Sequence, residues 1–204
     1  MRQNYVMNFL AHLYLTRDLS EETIIGNFIA DAIKGKRNYA LYSLDIQRGM
    51  DIHREIDHFA DLHPEFKKGT SRLNLNHGKY SGIVLDILYD HILAQNWVKY
   101  HQIELSEFAQ SQYLLINKHE HLLPEFTKYW FQVMRNDNLL TAYADESGIE
   151  DVLDRMDQRI GKGTAMRGAI KELQQHKSVF TEEFSLMFHD MQNHLAEKFP
   201  ELKR

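Results

Sequence analysis

The stretch RGMDIHREIDHFADLHP, residues 48–64, has the residue pattern that best predicts the fold of this chain. Ile52, Ile56 and Phe59 recur along it at the spacing of one helical face, which predicts a helix with that face against a core. Proline lacks a backbone N–H and disfavours helical geometry in the residue before it, so we expect this helix to end before Pro64. The stretch therefore predicts an amphipathic α-helix.

Side chains that can bind a metal ion lie beside the apolar face of this helix. The stretch contains three histidines and three aspartates: His53, His58, His63, Asp51, Asp57 and Asp61. His53 and Asp57 are four residues apart, so on a helix they share a face and their β-carbons lie about 5–6 Å apart. This pair is therefore able to bind one cation.

A second stretch, residues 80–97 (YSGIVLDILYDHILAQNW), repeats the pattern. Asp86 and Asp90 are four residues apart with His91 next to them, and the apolar face consists of Ile83, Ile87 and Leu88. Acidic side chains at the edge of a buried face are costly unless they are paired or bind a metal. In one helix alone, capping or a hydrogen bond to a backbone carbonyl explains such residues equally well. Two helices of this kind favour a metal site.

The segment at residues 7–15 (MNFLAHLYL) predicts a buried helix near the start of the chain. Its polar residues are Asn8 and His12, which are four residues apart. A lone histidine in such a segment is more often a core residue with satisfied hydrogen bonds than a metal ligand.

Asp31 lies in the next predicted helix, which includes residues 26–31 (GNFIAD) and is expected to end at Gly35. Its neighbours in the sequence are apolar, so its carboxylate needs a partner. We favour a metal ion as that partner, and a salt bridge with Lys34 or Arg54 is the structural alternative.

The composition narrows the class of protein. At 204 residues, 43% hydrophobic and 26% charged, the chain is typical of a globular protein. It has no cysteine, so any metal must be bound by nitrogen and oxygen. No apolar run approaches the roughly 20 residues of a membrane span, and residues 1–5 do not resemble a secretory signal, so we expect a cytoplasmic protein without a membrane partner. The net charge of −5 argues against nucleic acid as a partner.

The chain is predicted to be all-α, because no segment alternates strictly and no Asn-Gly or Asp-Gly hairpin turn occurs. Further helices are expected within residues 106–135, at 149–160 and at 164–199, with a turn at Gly161 and Gly163. The last helix has an apolar stripe that predicts a structural role: Phe180, Phe184, Met187, Phe188, Met191 and Leu195. No linker divides the chain, so we predict a single helical domain over all 204 residues.

The residue types also narrow the chemistry. Nitrogen and carboxylate ligands suit manganese, magnesium, iron or zinc, and the many carboxylates favour the harder ions. A di-iron bundle needs Glu-x-x-His on two helices, and only Glu55 with His58 has that spacing. The His-Glu-x-x-His motif of zinc proteases and the glycine-rich phosphate-binding loops are absent. Metal-assisted hydrolysis of a phosphate ester remains, in which Arg54 would help to bind the phosphate.

Four segments, in this order, resemble the acyl carrier protein phosphodiesterases: residues 7–15, 26–35 (GNFIADAIKG), 53–64 (HREIDHFADLHP) and 80–97. The resemblance is strong to about Trp97 and continues more loosely toward the C-terminus. Members of this family are distant relatives of the HD-type metal phosphohydrolases. The resemblance therefore implies an HD-phosphohydrolase-like helical bundle and a divalent cation, usually Mn²⁺, with Mg²⁺ or Fe²⁺ as alternatives.

The resemblance also implies a reaction and a set of site residues. The reaction would hydrolyse the phosphodiester that joins 4′-phosphopantetheine to a serine of holo acyl carrier protein, giving the apo protein. By the match to the family's motifs, we predict metal ligands at Asp31, His53, Asp57, Asp90 and His91. The predicted catalytic residues are Asp31, Arg54 and, as general base or outer ligands, His12 and Asp86.

Acyl carrier proteins are strongly acidic, so the resemblance implies local positive charge on this acidic chain. Two basic clusters follow the motif segments, and we predict that they bind holo acyl carrier protein: Lys34, Lys36 and Arg37, then Lys67, Lys68 and Arg72 in an expected connection that ends in a turn at residues 76–78. Two other functions stay open: a metal phosphohydrolase of small nucleotides, and a non-catalytic binder of acyl carrier protein.

Overall fold

The computed structural model describes residues 9–160 and 166–203, and within these residues all regular secondary structure is helical. The prediction of an all-α chain is confirmed. Residues 7 and 8, the predicted turn at Gly161 and Gly163, and Thr164 at the predicted start of the last helix lie outside the described residues. Kinship with the HD-type phosphohydrolases stays a prediction.

Short connections join the α-helices, whose bounds are α1 Phe9–Thr16, α2 Glu21–Ile29, α3 Lys36–Tyr39, α4 Leu44–Leu62, α5 Pro64–His77, α6 Ser81–Gln95, α7 Leu105–Lys118, α8 Glu125–Asn136, α9 Leu139–Ala142, α10 Glu146–Ile160 and α11 Ala169–Lys198. Short 3₁₀ turns lie between several of them, including one at Ala30–Ala32 directly after α2. No helix in the described part of the chain combines the length and the apolar character that crossing a membrane requires.

Helix α4 contains residues 48–62 of the stretch RGMDIHREIDHFADLHP. It begins before that stretch, because the hydroxyl of Ser43 accepts a hydrogen bond from the backbone N–H of Ile46 and caps the helix. It ends at Leu62, and the next residue, His63, is extended, as expected before a proline. The Nδ1 atom of His63 accepts a hydrogen bond from the backbone N–H of Glu65, so this residue also caps α5.

The basic segment that the sequence predicts to be a connection is instead the helix α5. Pro64 occupies its first turn, where a missing N–H costs nothing. Phe66, Leu73 and His77 bury one face of the helix, which packs against α6 and α11. The helix ends before Gly78, whose φ of 51° suits glycine, so the predicted turn lies at the end of α5.

Helix α6 lies at the centre of the fold and packs against α1, α5, α10 and α11. It is apolar on almost every side, and such a helix is stable only in a protein interior. The predicted stripe of α11 is buried along its whole length, and α11 packs against α4, α5 and α6. The prediction that this stripe belongs to the core is confirmed.

Helices α2 and α4 cross with their backbones in contact at Gly26 and Gly49. A β-carbon on Gly26 would lie 2.1 Å from the carbonyl oxygen of Ile46, and one on Gly49 would lie 2.0 Å from that of Thr23. Any larger residue at either position would therefore force the two helices apart. This close crossing brings Asn27, the residue after Gly26, near the side chain of His53, one turn after Gly49 on α4.

We predict that Gly26→Ala and Gly49→Ala each destabilise the protein by about 1–3 kcal/mol or more, because the added methyl group meets backbone atoms that cannot move aside. The matched control is Gly82→Ala, near the start of α6, where a β-carbon would have no atom within 4 Å. That substitution should be neutral or stabilise the helix by up to about 1 kcal/mol. Urea denaturation measures the difference, and equal stability of Gly26→Ala and Gly82→Ala would contradict the close crossing.

Candidate metal site

Two histidines from different helices lie side by side in the interior. His12, on α1, and His53, on α4, are 4% and 7% exposed, and their ring centroids are 4.2 Å apart. The Nδ1 atoms of both rings lie 3.1 Å from the same oxygen, Oδ1 of Asn27 on α2. Because Nδ1 and Nε2 lie on different sides of an imidazole ring, both Nε2 atoms face away from Asn27.

Two aspartates face these Nε2 atoms. Asp57, one turn after His53, has one carboxylate oxygen 3.3 Å from Nε2 of His12 and the other 3.3 Å from Nε2 of His53. Asp31, in the 3₁₀ turn after α2, has its Oδ1 atom 3.4 Å from Nε2 of His53. These separations exceed the roughly 2.7–3.2 Å of a good hydrogen bond. Both Nε2 atoms are therefore buried without a hydrogen-bond partner.

The arrangement fits a divalent cation. Two ligand atoms that each lie about 2.0–2.2 Å from one ion, at right or tetrahedral angles, are about 2.8–3.6 Å apart. The Nε2-to-carboxylate separations fall in this range, and the candidate ligand atoms of His12, His53 and Asp57 all lie within 4.8 Å of one another. Two carboxylates also balance the charge of a divalent ion. We call His12, His53, Asp57 and Asp31 the His–Asp cluster.

Without such an ion, a proton supplies the positive charge in the His–Asp cluster. Burial alone lowers the pKa of His53, but its contacts with Asp31 and Asp57 outweigh burial and raise that pKa to about 10. Burial alone raises the pKa of Asp57, yet the adjacent His12 and His53 hold it well below its usual range. The carboxylates thus attract positive charge, and a cation would compete with the proton on His53.

Asp86, on α6, adds another carboxylate beside the His–Asp cluster. Its side chain is half-buried and forms no hydrogen bond or ion pair with the described residues. Burial raises the pKa of Asp86 well above its ordinary value, and nearby negative charges raise it further, those of Asp57, Asp90, Asp61 and Asp31. A cation in the cluster would offset this repulsion and favour the ionised form of Asp86.

The structure does not bring the predicted ligands Asp90 and His91 into the His–Asp cluster. The two carboxylate oxygens of Asp90 accept hydrogen bonds from the backbone N–H groups of Leu10 and Ala11, at 3.0 and 2.9 Å. Asp90 thereby caps the first described turn of α1. The Nδ1 atom of His91 donates to the carbonyl oxygen of Tyr143 at 2.6 Å. We therefore assign these two buried residues structural roles in place of the predicted metal ligation.

Arg54 is also turned away from the His–Asp cluster. It follows His53 by one residue, so its side chain leaves α4 at an angle of about 100° from that of His53. Its guanidinium donates to Asp51 at 3.2 Å and lies over the ring of Tyr39. Arg54 thus forms an ion pair on the protein surface, and its contact with a phosphate group stays a prediction.

Two of the three side chains in the basic cluster on α5 form ion pairs within the protein. The guanidinium of Arg72 donates two hydrogen bonds of 2.7 Å to the buried carboxylate of Glu183 on α11. Lys68 pairs with Glu65 at 2.7 Å, one turn earlier on its own helix. Within this cluster, Lys67 alone is exposed and forms no ion pair with the described residues. Arg72 therefore joins two helices and does not present its charge to a partner.

Asn27 is the residue of this site that sequence reasoning gave no role. Its side chain is fully buried and contacts both histidines of the His–Asp cluster. The one signal was a carboxamide in the otherwise apolar second half of α2. A buried carboxamide needs several partners, but its sequence position does not show which residues supply them.

The fold and the His–Asp cluster together define a class: all-α proteins with a candidate metal-binding site built from histidine and aspartate. Within that class, the chain belongs to the acyl carrier protein phosphodiesterase family, because the family model described as acyl carrier protein phosphodiesterase matches residues 7–191. The chain is therefore a hydrolase, as predicted.

Several curated relatives are similar over nearly the full length. The chain is 31% identical over 196 residues to an acyl carrier protein phosphodiesterase of Photorhabdus laumondii, which covers 94% of each chain. It is 31% identical to the protein of that name from Pectobacterium atrosepticum, over 85% of this chain and 90% of the relative. Identity to the Yersinia enterocolitica protein is 30%, over 94% of this chain and 99% of the relative. No solved structure matches the chain.

We predict that Asp90→Ala destabilises the protein by about 1–3 kcal/mol, because a buried and a part-buried backbone N–H group of α1 lose their acceptor. The same variant should bind Mn²⁺ with wild-type affinity in isothermal titration calorimetry, whereas Asp57→Ala should lose that binding. A folded Asp90→Ala protein that no longer binds Mn²⁺ would restore Asp90 as a metal ligand.

Proposed function

We propose that this hydrolase cleaves the phosphodiester between 4′-phosphopantetheine and a serine of holo acyl carrier protein, releasing the apo protein. The observation that supports the proposal most strongly is the convergence of two buried Nε2 atoms and two carboxylates in the His–Asp cluster. The names of the relatives support the substrate class, since each is an acyl carrier protein phosphodiesterase.

Within this proposal, the His–Asp cluster binds a divalent cation through Nε2 of His12, Nε2 of His53 and the carboxylates of Asp57 and Asp31. Mn²⁺ is the proposed ion, with Mg²⁺ or Fe²⁺ as alternatives, because carboxylates suit Mn²⁺ and Mg²⁺ and imidazoles suit Fe²⁺. Such an ion, when bound, neutralises charge on a phosphoryl oxygen and makes water a better nucleophile at neutral pH.

The protein's own groups hold the reactants and move the protons. The oxygen of water bonds to phosphorus, the bond from phosphorus to the serine oxygen breaks, and that oxygen takes up a proton. We assign the proton from water to the carboxylate of Asp86, which lies beside the His–Asp cluster without a partner among the described residues. His12 is proposed as a ligand and not as the general base, because its Nε2 atom faces Asp57 beside that of His53.

We propose that the carrier protein docks beside Asp31, on the segment that leads to α4. Lys34, Lys36 and Arg37 are exposed there, and Leu41 and Leu44 nearby are 79% and 81% exposed. Positive charge next to exposed leucines suits an acidic partner that also buries apolar surface. The cluster on α5 is a weaker candidate for the docking surface, because Arg72 and Lys68 already form ion pairs within the protein.

Mass spectrometry tests the proposed reaction directly. After incubation with this protein and Mn²⁺, holo acyl carrier protein should lose the mass of 4′-phosphopantetheine, and Asp31→Ala or Asp57→Asn protein should leave the holo form unchanged. Wild-type activity that survives complete removal of metal by a chelator would contradict the role of the cation. Hydrolysis of small nucleotides, with the holo carrier protein left intact, would support the nucleotide phosphohydrolase instead.

Charge reversal tests the docking surface. Changing Lys34, Lys36 and Arg37 to Glu should lower turnover at low carrier protein concentration and weaken its dependence on salt, because these charges mainly speed association. Hydrolysis of a small phosphodiester should persist, since the His–Asp cluster is intact. The matched control changes Lys67 and Lys68 to Glu and should have a smaller effect. Unchanged kinetics after the first reversal would show that the carrier protein docks elsewhere.

A further inference from the structure

The carboxamide of Asn27 has one orientation that satisfies all of its neighbours. Its Nδ2 atom donates to the backbone carbonyl oxygen of His12 at 2.7 Å and to the hydroxyl oxygen of Thr16 at 2.9 Å. The Thr16 hydroxyl donates its own hydrogen bond to the same carbonyl oxygen, at 3.0 Å, so its oxygen can only accept the hydrogen bond from Asn27. With the amide reversed, the carboxamide oxygen of Asn27 would face the carbonyl oxygen of His12, and neither oxygen could donate a hydrogen bond.

This orientation decides where the protons of the two imidazole rings lie. The Oδ1 atom of Asn27 can only accept hydrogen bonds, and its two lone pairs match the two contacts of 3.1 Å from Nδ1 of His12 and Nδ1 of His53. Both Nδ1 atoms must therefore carry a proton. In a neutral ring with its proton on Nδ1, the lone pair lies on Nε2, which is the atom that faces Asp57 in each ring.

We propose that Asn27 is a positioning residue that orients both histidines of the His–Asp cluster and keeps their Nε2 lone pairs available to a cation. This inference rests on the proposed metal-binding role of the cluster. A metal-binding histidine usually donates its other N–H to a neighbour that fixes its orientation. Here a single carboxamide oxygen serves two histidines from two helices, so its loss affects both rings at once.

Substitutions of Asn27 that separate its acceptor from its donor test the proposal. Asn27→Leu is close to the same size and removes both, so neither ring remains oriented. Asn27→Asp keeps oxygen acceptors for both Nδ1–H groups but places another oxygen against the carbonyl of His12. The matched control is Thr23→Val, a buried polar position one turn earlier on α2 that does not contact the His–Asp cluster.

The readouts are the dissociation constant for Mn²⁺, measured by isothermal titration calorimetry, and the melting temperature of the metal-free protein. We expect Asn27→Leu to raise the dissociation constant about 10–100-fold. The dissociation constant of Asn27→Asp should remain within a few-fold of the wild-type value, although the melting temperature falls. Thr23→Val should change the melting temperature alone. Affinity would thus follow the acceptor at position 27 and not the stability of the fold.

A folded Asn27→Leu protein with wild-type affinity for Mn²⁺ overturns the proposal. If Asn27→Leu does not fold, Asn27→Asp decides: near-wild-type affinity supports the proposal, and a loss of 10-fold or more overturns it. Nitrogen-15 NMR of the metal-free wild type gives a second check, because a ring of His12 or His53 without a proton on Nδ1 also overturns it. A wild-type protein that binds no Mn²⁺ contradicts the proposed function itself, which distinguishes that failure from the failure of this inference.

Discussion

The backbone contact between α2 and α4, at Gly26 and Gly49, is the constraint on which the rest of the site depends. Two helices with ordinary side chains at their crossing lie about 8–10 Å apart, and a glycine at each contact permits a closer approach. Asn27 follows the first glycine directly, and His53 lies one turn after the second. The 3.1 Å contact between their side chains therefore depends on two residues that have no side chain.

The same interior holds more carboxylates than its hydrogen bonds can stabilise. Asp90 accepts two backbone N–H groups at the start of α1, so its buried carboxylate helps to anchor that helix and serves the fold. Asp31 and Asp57 contact only imidazole rings in the cluster, at separations too long for good hydrogen bonds, and Asp86 adds negative charge beside them. Even partial burial of carboxylates in this way is costly unless a positive charge joins them. A cation would satisfy the carboxylates and the two buried Nε2 atoms together.

Local patterns predicted most of the helices but not α5, and contacts between distant residues could not be predicted. The apolar periodicity of α4 and α11 depends only on neighbours along one helix, and the four-residue spacing placed His53 and Asp57 on one face. Asp86 and Asp90 share that spacing, yet Asp90 faces the start of α1, which only the packing of α6 determines. Arg72 pairs with a carboxylate 111 residues later, and no local pattern shows such a partner. The role of Asn27 likewise depends on three helices that meet.

The most direct test of the metal site is anomalous diffraction from crystals of this protein grown with Mn²⁺, recorded on both sides of the manganese absorption edge. We predict an anomalous peak whose nearest protein atoms are Nε2 of His12, Nε2 of His53 and carboxylate oxygens of Asp57 and Asp31. A peak bound instead by Asp90 and His91, or fully ordered cluster residues without any peak between them, would contradict it.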